Sequence, residues 1–406
     1  MFLRLAIRAL RTTDPRLLLK FAWNFGLKNL IAVEKFKRRI KRGEYFPPFL
    51  QISIINSCNL RCQGCWVDVD GPRHLLDLPA MNRLIDDAKR HGNSFFGILG
   101  GEPFLHPELL EIFAAHPDCY FQVFTNGQAI TESVAKKLRR LGNVTPLISI
   151  EGTGGVGDER RGSKDVFSKS MRGIENCLRE RIITGVATSV CQTNIEDLLS
   201  EQWLRELIKL GAHYVWYYTY RPVGGRSNPQ LALRSDQLVR VRKFVTDMRP
   251  KLPIGIVDCY YDHTGTALCP MTTGASHHVN PRGDIEPCPL IQFAADNIAD
   301  TRGIFETMRD SAFLRDFREV SAKATRGCII LERPDVVREI VLKHGARDTT
   351  LRGTAMAELE AMVPQSSQWL PGQEIPERHW MYRLAKKYWF NDFGAYRDGA
   401  ARNDRL

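Results

Sequence analysis

Cys58, Cys62 and Cys65 are the residues whose type and spacing point most directly to chemistry. They sit in the string Cys58-Asn59-Leu60-Arg61-Cys62-Gln63-Gly64-Cys65-Trp66, directly after the apolar run Leu50–Ile55. Three thiolates spaced in this way can ligate three irons of a four-iron four-sulfur cluster and leave the fourth iron without a protein ligand. A structural zinc site is closed by four ligands, and an electron-transfer cluster normally uses four cysteines. The loop therefore suggests a cluster that binds something small at its open iron. The competing readings are a zinc knuckle missing a ligand, or buried thiols.

The elements that must position this loop follow from the pattern around it. After residue 49, short β-rich runs alternate with helical stretches. The runs are Leu50–Ile55, Ser94–Leu99, Tyr120–Thr125, Pro146–Ile150, Ile183–Cys191 and His213–Thr219. Between them helices are expected over Asp77–His91, Pro107–Ala115, Thr131–Leu141, Asp165–Arg181 and Ile195–Leu210, with a further one over Ser235–Met248. Alternating β/α units imply parallel strands with right-handed crossovers, and six of them fit a partial (β/α)6 TIM-type barrel. The unusual residues fall at the same end of these strands: the cysteine loop, then Gly100-Gly101-Glu102-Pro103, Thr125-Asn126-Gly127, Ser149-Ile150-Glu151-Gly152, Gln192-Thr193-Asn194 and Arg221–Arg226. In parallel β/α barrels the C-terminal ends of the strands form the active face.

On these residues the chain resembles the radical S-adenosylmethionine (radical SAM) enzymes over about residues 48–230. The resemblance implies that Cys58, Cys62 and Cys65 hold a cluster whose open iron is chelated by S-adenosylmethionine. It implies that Gly100, Gly101, Glu102 and Pro103 meet the methionine amino group, with Glu102 as the carboxylate, and that Asn126, Ser149, Glu151 and Asn194 lie near the rest of the cofactor. The aromatic residue often found just before the third cysteine is here Gly64, with Trp66 after the cysteine instead. The implied chemistry is reductive cleavage to a 5′-deoxyadenosyl radical that abstracts hydrogen from a substrate C–H bond. Flavodoxin or ferredoxin would be the electron donor.

Further along, Cys269 and Cys288 bracket Asn280-Pro281-Arg282-Gly283, which reads as a hairpin turn. The spacing C-x13-G-x4-C resembles the start of the auxiliary-cluster domains called SPASM or twitch domains. The dense cysteine run that completes a SPASM domain is missing; only Cys328 follows, which favours one auxiliary cluster over two. Cys259 is the first candidate for a fourth ligand. An iron open to substrate, or His263, His277 or His278, are the alternatives, with zinc binding or plain packing still in competition. Cys119, Cys177 and Cys191 read as core thiols.

Ten cysteines in a chain without a signal-peptide pattern point to metal or redox chemistry. No apolar run approaches the roughly 18–20 residues of a membrane span. The net charge is +11, and residues 1–47 hold twelve cations against Asp14, Glu34 and Glu44, so this leader alone carries +9. Nucleic-acid binding is not expected, because the rest of the chain is nearly neutral. Leu19, Trp23, Leu27, Leu30, Val33 and Phe36 form an apolar stripe among lysines and arginines, and Trp380, Tyr382, Tyr388, Trp389 and Phe390 repeat the theme with Arg383, Lys386 and Lys387. Residues 1–42 are thus expected either to lie on an anionic membrane surface or to dock on the barrel. The segments expected are a leader over 1–47, the barrel over 48–250, an auxiliary-cluster domain over 251–335 and a helical tail over 336–406. The expected function is a cytoplasmic radical SAM enzyme, peripheral on the membrane, acting on a lipid or lipid-linked molecule. The alternatives are a maturase of ribosomally made peptides and a non-catalytic iron–sulfur sensor or scaffold.

Overall fold

The structure, a computed structural model, describes residues 2–300 and 302–396. Seven parallel strands follow one another in sequence order: β1 (Phe49–Ser53), β2 (Phe95–Leu99), β3 (Tyr120–Thr125), β4 (Val144–Ser149), β5 (Gly185–Val190), β6 (Tyr214–Thr219) and β7 (Gly255–Val257). On the other side of β1 lies β8 (Ser276–Val279), also parallel to it. It turns through Asn280–Gly283 into the antiparallel β9 (Asp284–Glu286). A two-stranded sheet pairs β10 (Phe293–Ala294) with β12 (Arg347–Asp348), and β11 (Asp296–Asn297) edges β9. The sheet ends at β7 on one side and β11 on the other, so the barrel is partial and open.

The six strands expected from the alternation are present. The two parallel strands added to them gave no signal for a physical reason. β7 is three residues long, and β8 reads Ser-His-His-Val, its two histidines buried where a strand usually places aliphatics. The sheet thus crosses the expected boundary at residue 250, and the segment carrying Cys269 and Cys288 is hydrogen-bonded directly to the strand that launches the first cysteine loop. Leu50, Ile52, Phe96, Ile98, Phe121 and Val123 fill the barrel core, each contributing about 1.5–3 kcal/mol by burial.

The helices start where side chains cap them: Asp77, Thr131 and Ser200 accept from the N–H groups of Ala80, Val134 and Trp203. Ser200 also breaks the single helix expected over 195–210 into Ile195–Leu198 and Glu201–Leu210. The helix Gly154–Arg161 was not anticipated, because its glycines argue against helix, nor were Ile304–Asp310 and Ala312–Ala324.

The leader docks on the barrel. Its helices Phe2–Thr12, Pro15–Lys20 and Lys28–Ile40, joined by a π-helical turn Phe21–Leu27, bury Leu17, Ala32, Val33 and Phe36. Val33 and Phe36 therefore leave the outward stripe in which the sequence placed them. Five cations offered to a membrane instead serve the barrel. Arg8 donates to the carbonyls of Ala212 and Pro253, Arg16 to those of Arg139 and Arg140, Lys20 to Leu141, Lys28 to Asp118 and Arg39 to His91. These carbonyls sit at helix ends and just before strands, where orphan acceptors and the negative end of the helix dipole attract cations. The leader thus closes the N-terminal end of the barrel, opposite the cysteine loop. In the tail, the helix Trp380–Tyr388 turns Lys386 inward, and residues 397–406 of the expected tail lie outside the described residues.

His213 clasps the leader. Its Nδ1 accepts from the Thr184 N–H and its Nε2 bonds to the Thr13 hydroxyl at 2.7 Å, an arrangement that fits the neutral ring. Burial, helped by the Arg8 charge, holds its pKa down at about 4. A His depressed in the folded state contributes stability that is present above its unfolded pKa of about 6.5 and lost as pH falls toward 4. We expect the loss over that window to be on the order of 3 kcal/mol and to vanish in His213→Gln. Denaturant midpoints of both proteins across the window would check this, and parallel curves would refute it.

Candidate functional site

The first cysteine loop leaves β1 through Ile54–Ser57 and is held from two sides. The Leu60 N–H donates to Cys58 Sγ at 3.4 Å, and Arg161 Nη1 donates to Cys62 Sγ at 3.3 Å. All three thiols are partly exposed and free. They interact with one another: burial, then the Cys62 and Cys58 charges, push the Cys65 thiol up to about 12. Among the described residues, no three His, Cys, Asp or Glu side chains converge as a single metal ion requires. Thiols that interact at longer range, with N–H groups aimed at sulfur, are the donor set of a multi-iron cluster, whose sulfurs are tuned by such hydrogen bonds. The residues present therefore fit the group that the sequence implied.

Glu102 is 1% exposed, and its charge acts on Cys58 of this loop. Its Oε1 accepts from Thr125 Oγ1 at 2.6 Å and from the Phe104 N–H, and its Oε2 accepts from the Asn126 N–H at 2.7 Å. Burial raises its pKa against these hydrogen bonds and the Arg161 charge. With three acceptor positions used of about four, the carboxylate keeps capacity for one further donor. Gly100 and Gly101 serve packing: a Cβ on either would overlap the backbone of Ile55–Ser57, so the glycines press the Glu102 loop onto the chain leading into Cys58. Pro103 starts the short turn that follows. Asn126 links the two motifs, its Nδ2 donating to Asn59 Oδ1 at 2.8 Å.

Ser149 ends β4, and its carbonyl accepts from Arg161 Nη2. Glu151 accepts from the Ser189 N–H at 2.9 Å. Asn194 donates from its amide nitrogen to the Glu151 and Ser189 carbonyls and its Oδ1 accepts from the Cys191 N–H, so its side chain braces the ends of β4 and β5. Arg161 was missed by sequence reasoning because it lies on the unanticipated helix Gly154–Arg161. Half-buried between Ser149 and the loop, its guanidinium is held charged: the Cys62 and Glu151 charges outweigh the desolvation that opposes them. Tyr220, immediately after β6, lies over Gly64, where a side chain would strike its ring, and stacks with Arg160. It supplies an aromatic ring beside the loop at the position where the sequence lacks one.

The cysteines of the second set bear on one another electrostatically. Burial, then the charges of Cys269 and Cys328, raise the Cys288 thiol, and Cys269 acts likewise on Cys328. After burial, the charges acting on Cys259 come from Arg221, Asp258 and Lys386 rather than from a cysteine. His278 has no nitrogen to spare: Nε2 bonds to Ser53 Oγ at 2.8 Å and Nδ1 to Glu286 at 2.6 Å. These residues, with Asn56, Trp66 and Asp68, line a small open cleft of about 50 Å³ between the cysteine loop and the β8–β9 hairpin. Arg221 stands among the second set, 4.4 Å over the Tyr260 ring and bonded to Gln368, with its charge favoured by Cys328, Tyr260 and Cys269 against burial. Thus Tyr220 and Arg221, adjacent in sequence, reach toward one cysteine set each. Cys119, Cys177 and Cys191 are fully buried core thiols.

Comparison with known proteins agrees with this geometry. Fe-coproporphyrin III synthase of Methanosarcina barkeri is 27% identical over 196 residues, 47% of this chain and 49% of that enzyme, so the chain spans about half the length of that relative. The mycofactocin maturase MftC of Mycobacterium tuberculosis is 26% identical over 315 residues, 73% of this chain and 79% of MftC. Among solved structures, Streptococcus suis SuiB bound to the precursor peptide SuiA has the same fold, with a TM-score of 0.58 at 17% identity over 69% of each chain. Residues 52–215 match the Radical SAM superfamily model. Residues 52–215 thus form a domain of the radical SAM superfamily, whose enzymes use a four-iron four-sulfur cluster and S-adenosylmethionine.

Proposed function

We propose that the enzyme removes hydrogen from a C–H bond of a peptide. In this reading Cys58, Cys62 and Cys65 hold the cluster that meets S-adenosylmethionine, and Cys269, Cys288 and Cys328 hold an auxiliary one. The observation that carries the core of the reading is the buried Glu102 carboxylate beside the three-cysteine loop, with one acceptor position in reserve. Cluster and S-adenosylmethionine together supply one-electron chemistry able to attack an unactivated C–H bond. The protein's share is to bind and orient. Glu102 would accept from the methionine ammonium, while Arg161 donates to Cys62 and Asn126 keeps the two motifs in register. A low-potential carrier such as flavodoxin or ferredoxin is the reductant this chemistry needs.

The peptide rests on relatives. MftC is a maturase whose similarity runs past the barrel into the second cysteine segment, and SuiB is seen with a precursor peptide. The lipid substrate anticipated from the amphipathic ends has no support among them. Cys259 is the further thiol in this reading, since the Arg221 charge acts on it as well as on Cys328 and Cys269.

Two measurements test the proposal. Anaerobic reconstitution should give about eight irons per chain, falling by about four in Cys269→Ala; about four irons in the unaltered protein would defeat the auxiliary cluster. Incubation of the reconstituted, reduced enzyme with S-adenosylmethionine and a panel of candidate precursor peptides should change the mass of one of them. Turnover of an iron coproporphyrin, with every peptide unchanged, would move the substrate to the tetrapyrrole class.

A further inference from the structure

Docking of the leader leaves one of its faces bare. Leu3, Ile7, Leu10, Leu19, Trp23, Leu27, Leu30 and Ile31 are all exposed, Leu19 to 72% and Trp23 to 58%. Together they make up eight of the fifteen large apolar side chains exposed among the described residues, gathered within thirty-one residues at one end of the barrel. Scattered exposed leucines are ordinary, but a contiguous group marks a contact surface. The residues Leu19, Trp23, Leu27 and Ile31 recur every fourth position. In an α-helix such a series drifts around the axis. Here the π-helical turn over Phe21–Leu27, with its wider bonding, holds that drift back and keeps the ridge straighter. The inward face of the same turn is fixed, since the Asn24 carbonyl accepts from Ser94 Oγ at 3.1 Å.

Charge identifies the occupant. Arg4, Arg11, Lys35, Arg38 and Lys41 are exposed along the leader, and of its three acids only Glu34 is exposed. The tail helix adjoins this surface, with Lys37 Nζ 5.9 Å over the Tyr388 ring, and exposes Leu384 and Tyr388 beside Arg383 and Lys387. An apolar ridge flanked by cations matches a bilayer surface rich in anionic lipid, where headgroups meet the cations and acyl chains the ridge.

We propose that the outward face of the leader docks the enzyme on an anionic membrane. The leader closes the N-terminal end of the barrel, so docking through it turns the cysteine loops toward the aqueous side. Membrane attachment and a soluble peptide substrate are therefore compatible, and neither depends on the other.

The test is sedimentation of the reconstituted full chain with vesicles of equal parts phosphatidylcholine and phosphatidylglycerol, against vesicles of phosphatidylcholine alone. Binding is expected to the mixed vesicles, to weaken with salt, and to fall about tenfold or more in Leu19→Glu/Trp23→Glu/Leu27→Glu. Circular dichroism and iron content should be unchanged in that variant. Should it fail to fold, Trp23→Ser alone takes its place, with the same loss expected in smaller measure. Absence of vesicle binding, or equal binding by the ridge variant, would overturn the proposal. So would a dimer that the ridge variant converts to monomer, because a second copy would then be the occupant. Equal capture by single-stranded RNA and by mixed vesicles, both insensitive to the ridge, would reduce the surface to a nonspecific cation patch.

Discussion

A Cys62→Ala protein, reconstituted anaerobically, is expected to hold about four irons fewer per chain and to make no 5′-deoxyadenosine from S-adenosylmethionine and dithionite. Three cysteines leave no redundancy: removing one leaves two irons without protein ligands, and Arg161 Nη1 loses the sulfur it donates to. Cys119→Ala, in the core, is the matched control and should keep both iron and product. Glu102→Gln separates binding from cluster assembly. It keeps the shape and removes the charge that faces an ammonium, an interaction typically contributing 1.5–3 kcal/mol, so S-adenosylmethionine should bind about 10- to 100-fold more weakly with iron content unchanged. Product from Cys62→Ala at the wild-type level would sink the assignment of the loop. Unaltered affinity in Glu102→Gln would remove Glu102 from the cofactor site while leaving the cluster in place.

The parts of this fold that could be read from the chain are those encoded by local pattern. Alternating apolar runs and helix-length segments located six strands, and Asp77 and Thr131 marked helix starts because capping is a local interaction. The motifs at the strand ends were legible because they follow the strands directly. What stayed hidden depends on contacts between distant residues. β8 looks polar until His278 is seen between Ser53 and Glu286, more than two hundred residues from one partner and eight from the other. Arg161 sits on a glycine-rich helix whose identity comes from packing, and no spacing rule connects it to Cys62, ninety-nine residues earlier. The leader was only half legible for a related reason. Its composition is that of a membrane-surface helix on every side, and only the carbonyls of distant helix ends show which cations are already engaged. Charge seen in sequence has no direction until a partner gives it one.

The same lesson sets the second large expectation. Asp258→Asn should destabilise the protein by about 3–5 kcal/mol, although nothing in the sequence joins Asp258 to its partners. Asp258 accepts from Arg242 at 2.7 Å, Arg249 at 3.1 Å and Lys386 at 2.6 Å, all of them buried. Glu377 is the other carboxylate in the group, paired with Arg249, which also lies 4.3 Å over the Tyr382 ring. Lys386 belongs to the tail helix that the sequence placed at the surface. The substitution keeps the shape and removes one of two negative charges facing three cations, and an uncompensated buried charge is what makes breaking such a group costly. Burial would raise the Asp258 pKa, but Arg249, Lys386 and Arg242 outweigh it and hold the carboxylate well below its ordinary value. A group depressed in this way contributes stability above the unfolded pKa, near 3.9, and loses it as pH falls through and below that value. Urea unfolding of the cluster-free protein should therefore separate variant from wild type widely at neutral pH, with the gap closing toward pH 3. Proteolysis should cut the variant first within the tail helix, because Lys386 and Glu377 tie that helix to the end of β7. A neutral-pH difference under about 1 kcal/mol, the scale of an exposed pair, would mean that Asp258 is not what fastens the tail to the barrel.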